Sequence, residues 1–347
     1  MLFRSTVGGT DANGYIFFVG HPSDKYVPAF SATKKYSKVL PNAGISFRPW
    51  GPEHVFYLSY AQGYSAPRTD TLYAYGKPLI DHGIPQIEPE TTNTWDLGYR
   101  YQTGTVILSS ALWSTDYQNR IVSSFDQNCN CFIDRNIGDV KQWGWDGEAG
   151  IRLTDAFSVY GSLSYNNSEV QGGLPARATI VNVNGGAPLP QPPSATNTYE
   201  TVLPTKGNKL VETPDWTFGG RAQYEAGNWR IGVQAKYVGE RYSTDLNDEK
   251  VDAYTLVDTD IQYDLAGLGF EGSYLQLNVL NMFDQDWIGS ISSTNNAQVF
   301  FDPSFTPTAG LCGGVALADC KGRISNSAPT YAIGYPRTLM LTLRAKF

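Results

Sequence analysis

The chain has 347 residues, of which 41% are hydrophobic and 13% aromatic, and its formal net charge is -7. The length predicts about two domains, or one large β domain. The acidic balance and the lack of any Lys/Arg cluster exclude nucleic acid as a partner, because phosphate binding requires a basic surface. No segment approaches the roughly 18 apolar residues of a membrane helix, so a helical membrane protein is also excluded.

Residues 1–35 contain no secretory signal, because no basic segment is followed by a long apolar stretch. We interpret them as a loop remnant before the first complete strand, and residues 36–347 as one β domain. Strict alternation begins at Ala43, Ile45 and Phe47, which are separated by small or polar residues. Successive side chains of a strand point to opposite faces, so this pattern predicts a strand with one apolar face.

The same alternation recurs as far as the C-terminus and predicts about eleven strands. Residues 105–117 alternate poorly, whereas other neighbours pair through short turns such as "EAGN" at 225–228. The later apolar faces comprise Phe56, Leu58 and Tyr60; Trp95, Leu97, Tyr99 and Tyr101; Trp143, Trp145, Ala149, Ile151 and Leu153; Phe157, Val159, Leu163 and Tyr165; Trp216, Phe218, Ala222 and Tyr224; Trp229, Ile231, Val233, Ala235 and Tyr237; Val257, Ile261, Tyr263 and Leu265; Leu275, Leu277 and Val279; and Leu339, Leu341, Leu343, Ala345 and Phe347.

The opposite face of these strands is polar, which is typical of a surface in contact with water. Asp258 and Asp260 share that face two residues apart, and paired carboxylates can carry out acid-base chemistry. No pocket or orienting partner is identifiable in the sequence, so we interpret them as charges of a water-facing wall. The charged residues predicted on this face are Asp146, Glu148, Arg152, Arg221, Arg230, Asp258, Asp260 and Arg344.

Short and long connections alternate along the chain. All the long links therefore emerge at one end of the sheet, which is the plan of an outer-membrane barrel. The link after residue 167 contains "GGAPLPQPPSATNT", whose prolines and glycines predict no regular strand through its middle. Short turns lie near Pro49, Thr103, Thr154, Ala226 and Gly267, and long links cover residues 63–90, 121–139, 167–214, 239–252 and 288–334.

Two classes of protein fit alternating strands: a soluble β-sandwich, in which the apolar face covers a core, and a membrane barrel, in which it contacts lipid. The predicted strands are about 10–13 residues long, whereas soluble strands average nearer six. Aromatic residues also mark the ends of the apolar face, as Trp216 with Tyr224 and Tyr335 with Phe347 do. Such girdles lie at the two lipid interfaces of a barrel, so the pattern favours the barrel.

Four cysteines form two local pairs in loop-like sequence without a nearby histidine. The spacing of Cys312 and Cys320 suits a small disulfide-closed loop, which indicates an oxidising compartment. Cys129 and Cys131 fit either a strained local bridge or two free thiols. The three histidines are scattered without helical i, i+4 spacing, so we predict neither a metal site nor a bound cofactor.

Four motifs, in order, resemble the TonB-dependent outer-membrane receptors. Each motif alone is weak, but their order and spacing match over residues 36–347. The motifs are "YAQGYSAPRTDTLY" at 60–73, "IEPETTNTWDLGYRY" at 87–101, "VLNMFDQDW" at 279–287 and "YPRTLMLTLRAKF" at 335–347.

The resemblance implies an all-β fold, an antiparallel outer-membrane β-barrel with long extracellular loops and short periplasmic turns. This chain would supply about 11 C-terminal strands of a barrel of about 22. No segment resembles the N-terminal plug of that family or its TonB box. An odd-stranded half-sheet leaves unpaired amides facing lipid, so we expect a fragment or truncated product that does not transport alone. The terminal aromatic Phe347 resembles the signal recognised by the barrel-assembly machinery.

The implied function is active uptake of a scarce solute, foremost a ferric siderophore, across the bacterial outer membrane. The resemblance implies no reaction on the solute, so we predict that the chain is not an enzyme. The implied partners are outer-membrane lipid, the barrel-assembly machinery, and TonB with its inner-membrane energising complex, which act through the plug. The charged wall residues would contact that plug. Candidate solute contacts in the outer loops are Tyr64, Arg68, Tyr73, Tyr75, Phe125, Arg135, Tyr242, Phe300, Phe301 and Phe305.

Two alternatives remain at this point. A passive porin-like channel would share the barrel and lack a plug. A secreted soluble β-domain that binds carbohydrate would share the alternation but would need no detergent for extraction.

Overall fold

The computed structural model describes residues 8–10, 16–17, 35–67, 87–126, 131–184 and 198–346. The chain divides into two compact units, Met1–Val39 with Arg68–Gln86, and Leu40–Pro67 with Ile87–Phe347. In the first unit, two short strands, β1 (Gly8–Thr10) and β2 (Ile16–Phe17), pair in antiparallel fashion. The domain boundary that we place at residue 35 from the sequence stays a prediction.

The second unit is built almost entirely from strands. Its strands are β3 (Asn42–Phe47), β4 (His54–Ser65), β5 (Glu90–Gln102), β6 (Val106–Gln118), β7 (Ile121–Asp126), β8 (Cys131–Asn136), β9 (Val140–Arg152), β10 (Phe157–Val170), β11 (Leu174–Asn182), β12 (Thr198–Leu203), β13 (Trp216–Ala226), β14 (Trp229–Val238), β15 (Arg241–Tyr242), β16 (Lys250–Val251), β17 (Tyr254–Asp264), β18 (Tyr274–Leu280), β19 (Ile288–Ser292), β20 (Phe300–Phe301), β21 (Cys320–Ile324), β22 (Thr330–Ile333) and β23 (Thr338–Arg344). Eleven of these strands form one antiparallel sheet in the order β23-β18-β17-β14-β13-β10-β9-β6-β5-β4-β3, which confirms the predicted strand number.

Tight turns close the hairpins at one end of this sheet. Between β13 and β14 only Gly227 and Asn228 remain unpaired, and Gly227 has a φ of 57°. Two-residue hairpin turns need positive φ, which glycine adopts without a steric cost. The predicted "EAGN" turn is therefore confirmed.

The poor alternation of residues 105–117 has a physical cause in the structure. In β6, Trp113 and Ile107 lie on the polar face, where a Cβ added to Gly144 would meet the Trp113 ring at 2.4 Å and one added to Gly150 would meet Ile107 at 2.8 Å. Two apolar side chains thus cover glycines of the neighbouring strand β9. This packing replaces the polar side chains that the alternation rule predicts on that face.

The other end of the sheet carries the long connections, which form small sheets of their own. Four strands pair there in the order β12-β11-β21-β20, with a one-turn helix at Ala309–Cys312 and a short 3-10 helix at Leu317–Asp319; we call this group the outer layer. A further 3-10 helix, Ala266–Leu268, lies in the turn between β17 and β18 at the opposite end of the sheet. The outer layer holds the main buried cluster: Ile137, Val140, Val170, Leu174, Ala176, Ala178, Leu203, Leu210 and Ile324. Among the described residues, no helix has the length and apolar character that crossing a bilayer requires.

The large sheet is a single layer with two chemically different faces. On its apolar face Ile261, Leu277 and Leu341 stand directly opposite one another on three successive strands. Leu339 and Leu341 expose 68% and 71% of their surface. Within the described part of the chain no second sheet covers this face, so its hydrocarbon lies on the outside rather than in a core.

One residue that we predict in an aromatic girdle lies elsewhere. Tyr335 precedes β23 and packs edge-on against Trp287, with ring centroids 5.3 Å apart. Trp287 in turn packs on Tyr254 of the polar face, at 4.8 Å. The assignment of Tyr335 to the apolar face is wrong, because the chain on either side of the last long connection folds back over the polar face.

Candidate functional site

The predicted wall charges lie on one face of the sheet. In the strand register Arg221 stands opposite Tyr160 and Gln234, and Asp260 stands opposite Gly232. Directly opposed residues of an antiparallel pair point to the same face. The same register places all eight predicted wall residues together: Asp146, Glu148, Arg152, Arg221, Arg230, Asp258, Asp260 and Arg344.

Arg221 is the centre of a hydrogen-bonded network on this face. Its Nη1 lies 2.8 Å from Asp260 Oδ1, and its Nε donates to Gln223 Oε1 at 3.0 Å. To reach Asp260 the guanidinium crosses strand β14 above Gly232, where an added Cβ would meet Arg221 Nη2 at 2.1 Å. Glycine at that position leaves room for the guanidinium, which a larger residue would displace.

A second carboxylate joins this wall to the last long connection. Asp258 Oδ2 accepts from Gln234 Nε2 at 3.0 Å, and Asp258 Oδ1 accepts from the backbone N–H of Asn281 at 2.8 Å. Asn281 is almost fully buried and has a φ of 49°. Its amide donates to the carbonyls of Gln285 at 2.9 Å and Tyr335 at 3.1 Å. The motif at 279–287 thus holds both ends of the connection together.

The remaining wall charges are hydrogen-bonded, stacked on a ring, or line an open concavity. Arg230 Nε lies 2.8 Å from Glu225 Oε1. Glu148 accepts from the Tyr160 hydroxyl at 2.8 Å, and Asp146 accepts from the Ser164 hydroxyl. Arg344 stacks 5.8 Å above the Tyr274 ring, and Arg152 lines an open concavity at the short-turn end. Charges paired in this way form a hydrated wall rather than a catalytic constellation.

A pocket of about 720 Å³ lies on the polar face next to the long connections. Its apolar side is formed by the rings of Tyr254, Trp287 and Tyr335, and its charged side chains are Arg221, Lys236 and Asp258. The indole ring of Trp287 packs directly on the backbone of Gly334. A Cβ added to Gly334 would stand 1.9 Å from that ring. The sequence shows aromatic residues on both sides of the last long connection, which is one indication of this pocket. It does not show the direction in which that connection folds.

The predicted solute contacts that the structure describes do not form one cluster. Tyr64 lies in β4, and Tyr242 lies in β15 with Lys250 Nζ 5.1 Å above its ring. Phe300 packs against the buried cluster of the outer layer, Phe301 beside it is exposed, and Phe305 stacks on Tyr199 at 5.2 Å. Outside the described residues lie Arg68, Tyr73 and Tyr75, together with the side chains of Phe125 and Arg135.

The outer layer contains a disulfide between Cys312 and Cys320, whose Cα atoms are 5.8 Å apart. Both cysteines are fully buried and pack against Ile180 of β11. Cys129 and Phe347 lie outside the described residues, as does the side chain of Cys131.

Asp302 is a buried carboxylate in the same layer. It accepts from the Tyr199 hydroxyl at 2.9 Å, the Thr201 hydroxyl at 2.6 Å, and the Ser304 hydroxyl and N–H at 2.6 and 2.8 Å. Burial raises the pKa of this carboxyl, but the four donated hydrogen bonds outweigh burial and hold the pKa below its ordinary value. Burial, followed by the Asp302 carboxylate, raises the pKa of Tyr199.

A single-layer antiparallel sheet with hydrocarbon on one face, charge on the other and long connections at one end is the wall of an outer-membrane β-barrel. Sequence comparison agrees: residues 10–282 match the family described as TonB dependent receptor-like, beta-barrel. The chain belongs to this family, and it is an outer-membrane protein. The class of soluble β-domain that remained open from the sequence is thereby set aside.

The curated relatives are named as transporters and receptors, not enzymes. The chain is 23% identical over 213 residues to the ferrichrome outer membrane transporter/phage receptor of Escherichia coli K12, which covers 59% of this chain and 24% of that protein. It is 24% identical over 247 residues to the ferrioxamine receptor of Yersinia enterocolitica, and this match covers 69% of this chain and 28% of that protein. The chain thus spans about a quarter of the length of these relatives.

Solved structures show the same fold. The ferric citrate transporter FecA in its unliganded form superposes with a TM-score of 0.58 at 18% identity, covering 89% of this chain and 38% of that one. The ferric-catecholate import receptor Fiu of E. coli K12 superposes with a TM-score of 0.53 at 19% identity, covering 88% of this chain and 34% of that one.

Proposed function

We propose that this chain is the C-terminal part of the barrel of a TonB-dependent receptor that takes up a ferric siderophore across the outer membrane. The observation that carries the proposal is the two-faced sheet. Its apolar face suits lipid, and its polar face offers hydrogen-bonding groups to a plug and to a solute. The names of the ferrichrome and ferrioxamine relatives support iron chelates as the solute class.

The wall network has a specific part in this proposal. A charge pair such as Arg221 with Asp260 keeps the middle of the wall polar, and neither partner is left as an unpaired charge that would hold a plug in place. A plug that packs against such a wall exchanges hydrogen bonds with water at low net cost. This suits a plug that has to move during each transport cycle under the pull of TonB.

The proposal is tested by iron uptake in cells. The receptor that carries this chain is expressed in a bacterial host without its own siderophore receptors, and uptake of radioactive iron is followed with a panel of ferric chelates. We expect uptake of at least one chelate, and we expect deletion of TonB or a protonophore to abolish it. Uptake that persists after both treatments would contradict active transport and would favour the passive porin-like channel.

A further inference from the structure

The pocket on the polar face combines flat apolar surface with a floor of small side chains. Its aromatic side is formed by Tyr254, Trp287 and Tyr335, with the Tyr335 ring edge-on to Trp287. Its floor includes Ser162 and Gly219, and a Cβ added to Gly219 would meet the Ser162 hydroxyl at 2.8 Å. The side chains next to the aromatic rings are therefore small, which leaves space for a planar group to pack against the aromatic side.

Two charged groups of this pocket form no ion pair within the described part of the chain. Arg221 is neutralised by Asp260. The Asp258 carboxylate keeps its negative charge but already accepts hydrogen bonds from Gln234 and from the backbone of Asn281. Lys236 is exposed, and within the described part of the chain it forms no ion pair. Its ammonium is the charged group of the pocket that is free to meet a ligand.

The pocket also lies where a solute arriving from outside would first reach the wall. Lys236 is two residues from the end of β14 at the long-connection end, and Tyr254 begins β17 at the same end. Trp287 and Tyr335 stand at the two ends of the last long connection. Loop and wall residues therefore meet in this pocket, at the outer rim of the polar face.

We propose that this pocket binds an anionic, ring-bearing ferric chelate, with a planar ring packed against the aromatic side of the pocket and the negative charge facing Lys236. The receptor then selects ferric catecholates over neutral ferric hydroxamates. This inference rests on the proposed uptake of ferric chelates and adds the chemical class of the solute. Catecholate rings are planar and remain negatively charged around ferric iron, so they match both features of the pocket, whereas neutral hydroxamates match neither.

The test is equilibrium binding to the detergent-purified receptor, followed by quenching of tryptophan fluorescence. The probes are a ferric tris-catecholate and a neutral ferric trihydroxamate, and the variant is Lys236→Glu. Lys206→Glu is the matched control, because it makes the same charge change at an exposed turn outside the pocket and so reproduces any effect of net charge on association. Heat-modifiable migration on a gel confirms that each variant is folded.

We expect the wild type to bind the catecholate more tightly than the hydroxamate, and Lys236→Glu to weaken catecholate binding roughly tenfold or more, because it places like charges together. Hydroxamate binding by Lys236→Glu, and catecholate binding by Lys206→Glu, should be unchanged. If the wild type binds the catecholate but Lys236→Glu changes nothing, or weakens both chelates equally, the pocket assignment is wrong and the proposed function stands. If the wild type binds no ferric chelate, the proposed function itself fails.

Discussion

At the scale of single residues, Asp302 shows how one buried carboxylate organises the outer layer. Replacing it by Asn removes one acceptor oxygen and places an amide against the hydroxyls of Tyr199 and Thr201. A buried donor left unsatisfied costs about 1–3 kcal/mol. We therefore expect Asp302→Asn to raise hydrogen exchange in β11 and β12. Glu200→Gln is the control in the same layer, because its side chain is 79% exposed, and equal exchange in both variants would contradict this role.

The depressed pKa of Asp302 also predicts a pH dependence. A group whose pKa is lower in the folded state stabilises that state at any pH above its unfolded pKa, which is about 3.9 for Asp. This stabilisation is lost as the pH falls through the folded pKa. Protection of β11 against exchange should therefore be full at neutral pH and decline in acid, and Asp302→Asn should lack the decline that Asp302 causes.

Gly232 gives a residue-scale prediction on the wall itself. An added methyl group collides with the Arg221 guanidinium that crosses above it to reach Asp260. The guanidinium ends a flexible side chain and can move aside, so the cost is the loss of this partly exposed ion pair, about 1 kcal/mol or less. We expect Gly232→Ala to lower the temperature at which the folded form shifts on a heat-modification gel. Gly220→Ala is the control, because its Cβ would meet only the carbonyl of Tyr160, at 3.7 Å; an equal shift in both variants would sink the explanation.

At the scale of elements, the last long connection depends on Asn281. Its side chain bonds the backbone of Gln285 and Tyr335 while its own backbone is left-handed. Asn281→Ala loses those bonds and strains the backbone, so we expect faster proteolysis of residues 282–334 by roughly tenfold or more, since about 1–3 kcal/mol is lost. Asn119→Ala tests the backbone alone, because Asn119 has a similar φ of 54° at an exposed position. Equal protease sensitivity in the two variants would contradict a role for the side chain.

Element prediction from the sequence succeeded where the period of two decides the structure. Because lipid covers one face and water the other, the strands of the large sheet alternate, with Ile107 and Trp113 of β6 as exceptions on the polar face. Hairpins such as β13 with β14 fix their own register through a two-residue turn. The polar face and its eight charges follow from the same alternation. The outer layer is harder to predict from the sequence. In β11 the buried positions alternate, but two of them, Ala176 and Ala178, are small residues that mark an apolar face less clearly than Leu174 and Ile180 do.

Tertiary contacts that join distant segments could not be predicted in the same way. Strand β11 pairs with β21, which lies far along the chain, and no local pattern names that partner. The pocket depends on the fold-back of the last connection, which brings Trp287 over Tyr254. The alternation near Tyr335 suggested the lipid face because it continues that of β23, although the strand itself begins only at Thr338.

At the scale of the whole molecule, the sheet is a wall one residue thick whose two edges, β3 and β23, each have one neighbour in the described sheet. Unpaired backbone groups cost several kcal/mol each in hydrocarbon, so open edges are unstable there. The eleven strands are therefore stable in a membrane only when further strands pair with both edges. This agrees with a chain that spans about a quarter of the length of its curated relatives.

The central claim is that one face of this wall contacts lipid and the other contacts water, and β18 tests it most directly. Spin labels are placed singly at Leu275, Gln276, Leu277, Asn278 and Val279 of the membrane-embedded receptor, and their collisions with oxygen and with a water-soluble nickel chelate are measured. We predict strict alternation, with oxygen favoured at the three apolar positions and nickel at Gln276 and Asn278. Equal accessibility at all five positions, or the reverse alternation, would contradict the account.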